Sequence, residues 1–149
     1  MNGITRLHHD ERGSALMESA IVLPMILLVM VGIFELGRAF QTWQVLTNAA
    51  REGARAAVVP SANVGTVEAL VHQYMEDGQL AAAAAADVTV DQGASLVVNG
   101  TTVGATEVTV AYPFEFSLLQ PVASLVVPDT DVGEPITMRA RSLMRNEAQ

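Results

Sequence analysis

The chain contains no cysteine. Disulfides, thiolate metal sites and cysteine nucleophiles are therefore excluded. Lysine is missing too, so all eight cationic side chains are arginine. Positive charge is scarce overall. The net charge is −8, which argues against a nucleic-acid partner. From Ala56 to Met138 there is no cation, against ten acids. Enzyme constellations are missing as well. There is no phosphate-binding glycine loop, no histidine–acid–nucleophile set and no carboxylate pair at a recognisable spacing. The acids of 129–134 lack the calcium-loop pattern and read as an acidic surface turn. His72 stands alone, and His8 and His9 adjoin without further ligands, so neither place predicts a metal site. We expect no catalysis and no cofactor.

What the chain does have is one long apolar run. Residues 12–34 read RGSALMESAIVLPMILLVMVGIF, and from Ala20 to Phe34 none is charged. Ser14 to Phe34 is 21 residues, about 31 Å as a helix at about 1.5 Å per residue. That is close to the thickness of a bilayer's hydrocarbon core. One acid, Glu18, lies near its start. An acid inside a span costs on the order of a few kcal/mol unless it is paired. The bland reading of Glu18 is an interfacial acid; the sharper one is a carboxylate with a specific partner. Removal of the run as an ordinary secretory signal is disfavoured. The run is long, no clear small-x-small site follows, and helical sequence continues past Phe34.

Charge placement suggests an orientation. Arg6 and Arg12 precede the run, and an acid-rich domain follows it. This predicts a cytoplasmic N-terminus and an external C-terminal domain. The divisions are a leader over 1–13, a transmembrane helix over 14–36 and an extracytoplasmic domain over 37–149. Glu35, Arg38, Phe40 and Trp43 fall at the outer membrane interface. There Arg38 either snorkels to headgroups or pairs with Glu35 one turn back. The two aromatics suit that level.

The helix is predicted to continue to Val59, stopped by Pro60. Ala49, Gly53 and Ala57 form a line of small residues that invites close packing. Arg51, Glu52 and Arg55 read as a solvated face. Pro24 predicts a kink or local loosening. A second helix is expected over Thr66–Asp77, with Val67, Leu70, Val71, Tyr74 and Met75 as its apolar stripe and His72 exposed. The alanines at 81–86 have the propensity to resume it. Then the period changes. Val88–Asp91 alternates, and Asn99-Gly100 between two short runs signals a type I′ hairpin. Thr106–Phe116 alternates over a longer span, with Pro113 marking an edge or end. Ser117–Val127 reads as a packed loop or short helix, and Pro135–Met144 as a last strand. The expected fold is α+β: a long N-terminal helix, a short second helix, and a small antiparallel sheet packed on them.

Gly13-Ser14, with Glu18 fifth after the glycine, resembles the cleavage site of type IV pilin-like precursors. In that family a membrane-embedded prepilin peptidase cuts after the glycine, and the acid at the fifth mature position faces the new N-terminal amine. Cutting before Ser14 would set an α-ammonium near Glu18, turning two costly charges into one pair. Residues 12–40, 47–59 and the stretch ITMRARSLMRNE resemble the TadE-like proteins, pseudopilin components of the tight-adherence (Tad) pilus system. The resemblance extends over most of the chain. It implies bacterial inner-membrane insertion with a single pass, prepilin peptidase processing and a part in pilus biogenesis beside other pilins or pseudopilins and the assembly machinery. Ser14 departs from the aromatic first residue common among type IV pilins. The size of the C-terminal domain suggests a minor pseudopilin. The other function class is a single-span membrane protein whose acidic domain binds or regulates a partner without polymerising.

Overall fold

The fold comes from a computed structural model, which describes residues 11–59 and 61–146. Arg6, His8, His9, Pro60 and the last three residues lie outside the described residues. The architecture is the expected α+β one. Helix α1 runs unbroken from Glu11 to Ala57. At 47 residues it is about 70 Å long. Pro24 lies inside it and does not interrupt it. A proline inside a helix removes one backbone donor and crowds the carbonyl four residues back, yet the helix carries on past it.

Helix α2, Val64–Asp77, starts earlier than its apolar stripe suggests. Asn63 explains the start, because its Oδ1 accepts from the Thr66 N–H at 3.3 Å and caps the first turn. Val67, Val71 and Met75 of the stripe are buried, while Tyr74 is exposed. His72 departs from expectation. It is half-buried, and its Nδ1 sits 3.0 Å from the Ala83 carbonyl oxygen. The alanine run does not resume the helix. It makes only a 3-10 turn, Ala83–Ala85. The Ala82 N–H donates to the Tyr112 hydroxyl at 3.1 Å, and strand pairing begins at Asp87. Tertiary contacts override propensity there.

The sheet has four antiparallel strands: β1 (Asp87–Asp91), β2 (Ser95–Val98), β3 (Thr101–Phe114) and β4 (Ile136–Arg145). β3 pairs with all three others. The turn into it is the expected one: Asn99 and Gly100 have φ of 52° and 79°, the left-handed pair a type I′ turn demands. The two runs expected at 101–103 and 106–116 are one strand. Gly104 still pairs with Ser95 while Ala105 already pairs with Arg145, so no break is needed. β1 starts at the pair Asp87–Ala111, so its ladder with β3 reaches no further along β3 than Ala111. Pro113, beyond it, removes no donor from that ladder.

Helix α3, Leu119–Val126, lies between β3 and β4 in sequence. Pro121 sits in its first turn, where a missing N–H is tolerated. The core lies where the second half of α1 meets α2 and the sheet. Leu46, Ala49, Ala50 and Ala54 of α1 bury against Val71, Met75, Val108 and Val110. The small-residue line does what its spacing predicts. A Cβ on Gly53 would lie 2.5 Å from Val71 Cγ2 and 3.3 Å from Val108 Cγ1. Only glycine lets α2 and β3 approach α1 this closely.

Candidate functional site

α1 has two halves of different character. Its most apolar 18-residue window is only 6% buried, whereas a core helix of that composition would be mostly covered. Leu16, Ile21, Met25, Val29 and Ile33 all stand exposed. The helix is long and apolar enough to cross a membrane. Gly13, Ser14 and Glu18 lie at the bare end, all exposed. Among the described residues Glu18 has no ionic partner.

The halves meet at Glu35, which is fully buried. Its Oε1 accepts two backbone bonds, from the Ser117 N–H at 2.8 Å and the Leu118 N–H at 2.7 Å. Its Oε2 lies 3.4 Å from Arg38 Nε, an ionic contact rather than a hydrogen bond. Arg38 donates to the Ser117 hydroxyl and to the Glu115 carbonyl. Its guanidinium also lies 5.0 Å from the centroid of the Phe114 ring, within cation–π range. One acid and one arginine, a turn apart on α1, thus hold the chain where it leaves β3 for α3. Charge-assisted bonds to a buried carboxylate are the stronger kind. The arrangement fastens two segments together; the residues it joins form no nucleophile–base pair.

Of the residues singled out at the outer interface, Glu35 and Arg38 come together, so the pairing one turn back is present. Phe40 and Trp43 stand exposed on the same helix, with ring centroids 6.3 Å apart. The partners at Phe114, Glu115, Ser117 and Leu118 carry no local signal in the sequence, since about 80 residues separate them from Glu35. Arg55 and Glu52 form an exposed ion pair at 2.9 Å, and hydrogen bonding to that carboxylate raises the Arg55 pKa. A cleft of about 560 Å³ opens beside Arg38, lined also by Gln41, Thr42, Gln79 and Tyr112. Its arginine is already engaged by Glu35, Ser117 and Glu115.

Residues 13–55 match the family model described as TadE-like protein. The match covers nearly all of α1 and stops before α2, so it leaves out the C-terminal stretch whose resemblance is noted above. No curated protein and no solved structure matches the chain. In residues 13–55 the chain is similar to the TadE-like proteins, a likeness that points to the Tad pilus system, and the same stretch is the helix long and apolar enough to cross a membrane.

Proposed function

We propose that the protein is a minor pseudopilin, a structural rather than catalytic component that primes or joins a Tad pilus. A prepilin peptidase cuts between Gly13 and Ser14. The bare half of α1 anchors the product in the inner membrane, with its N-terminus on the cytoplasmic side. The folded domain lies on the far side. Glu18 then pairs with the new α-amine of its own or a neighbouring chain.

The observation that carries this reading is the state of α1. Gly13-Ser14 and Glu18 stand exposed on an apolar helix that continues, unbroken, into a packed domain. A secretory signal would not be the backbone of the domain that follows it. N-terminal sequencing of protein taken from membranes of cells that contain the peptidase tests the reading. The expected first residue is Ser14, and Gly13→Leu abolishes the cut, since a bulky side chain stands where the family uses glycine. An intact Met1 in assembled pili would overturn it.

A further inference from the structure

Building on the reading of α1 as a span, we propose that the segment Phe116–Val127, with α3 at its centre, is a second membrane element. It seats against α1 in the outer boundary of the bilayer, with lipid headgroups and upper acyl chains as its partner.

Four observations converge on this segment. It carries no charge between Glu115 and Asp129. It is not a core helix: of α3's residues only Ala123 is buried, while Leu125 is 72% exposed and Leu118 and Val127 are also exposed. It packs on α1, and enters at Glu35, where the apolar half ends. The half-buried residues Leu28, Val31 and Gly32 lie on one face with buried Glu35, amid exposed Val29, Met30, Ile33 and Phe34. Glu35 bonds the two amides that lead into α3, so α3 starts beside the outer end of this stripe.

The exposed apolar surface of α3 is therefore continuous with that of the span. Whatever solvates Ile33 and Phe34 also solvates Leu125. A helix with an apolar face and no charge suits the boundary between headgroups and acyl chains. Asp129 and Asp131 limit the depth, because acids are costly further in. The segment thus lies at the boundary and does not cross the membrane.

The single tryptophan makes the test direct. In a Trp43→Phe background, Leu125→Trp, Leu118→Trp and Val29→Trp are made separately in the full chain. Each is reconstituted at low protein-to-lipid ratio into phosphatidylcholine vesicles with brominated acyl chains. Leu125→Trp and Leu118→Trp are expected to lose roughly half their emission, as rings at the headgroup–acyl boundary. Bromines near the glycerol should quench them more than bromines near the terminal methyl. Val29→Trp reports on the span alone. If it is quenched while both α3 reporters emit as in water, the inference fails and the span stands. If none is quenched, the reading of α1 fails with it. Blue-shifted α3 reporters that lipid does not quench, in chains that crosslink as dimers, would mean that a second copy covers α3, and would also overturn the inference.

Discussion

Removing the Glu35 carboxylate should release α3 from α1 without unfolding the rest. Glu35→Ala deletes two charge-assisted bonds, to the amides of Ser117 and Leu118, at 2.8 and 2.7 Å. Each is worth about 1.5–3 kcal/mol. The Arg38 contact adds little. At 3.4 Å it is no hydrogen bond, and for two buried atoms the cost of leaving water offsets most of the attraction. The freed amides regain part of the loss by bonding water, so the net cost is about 3 kcal/mol. Glu35→Gln keeps an acceptor of the same shape and loses only the charge assistance, for about half that cost. The assay is hydrogen exchange at the two amides in the detergent-solubilised protein. Local opening by about 3 kcal/mol lowers their protection about a hundredfold, and the glutamine variant lowers it about tenfold. Protection at Val108 and Val110, in the core, should stay as it was. Equal effects of alanine and glutamine, or no effect of either, would show that the carboxylate does not hold this junction.

Glu18→Gln should insert normally and still be cut, yet fail to co-purify with its pilus partners. An amine left without its counter-ion costs about 3–5 kcal/mol, or two to three orders of magnitude in association; a normal pilus count at normal protein levels would leave Glu18 a bystander. Gly53→Leu should destabilise the domain by about 1–3 kcal/mol or more, because its Cβ enters space held by Val71 and Val108. A thermal melt of the solubilised protein equal to that of the parent would contradict the close approach of α2. A reporter that folds only outside the cytoplasm, fused after the last residue, should be active; activity from a cytoplasm-only reporter would reverse the orientation.

Local chemistry was legible and long-range partnership was not. The Asn99-Gly100 turn shows in the sequence because two successive left-handed residues are a narrow demand. Gly53 shows because its spacing from Ala49 and Ala57 marks one helix face. The apolar half of α1 shows because a charge-free run of membrane length leaves little else for it to be than a long apolar helix. By contrast, the distant partners of Glu35 and the partner of His72 are backbone groups, and any residue supplies a backbone group. Ser117, Leu118 and Ala83 are selected by where the chain passes, which no pattern near Glu35 or His72 records. The merging of two short runs into β3 was hidden for a similar reason. Gly104 looks like a break until β2 and β4 are both in place to pair around it.

The unbroken course of α1 from Glu11 to Ala57 fixes a compass bearing. No swivel separates the span from the folded domain, so the azimuth of the domain is set by helical phase. Seventeen residues separate Glu18 from Glu35, which is about 26 Å of rise and about a quarter turn around the axis. On the proposed function, a neighbour engaging Glu18 in the membrane would meet the folded domain at one angle and one height. A single alanine inserted between Ala20 and Ile21 would leave every side chain at both ends in place. It would still turn one end about 100° against the other and lift it about 1.5 Å. Subunits so altered would carry intact sites that no longer point at the same neighbour.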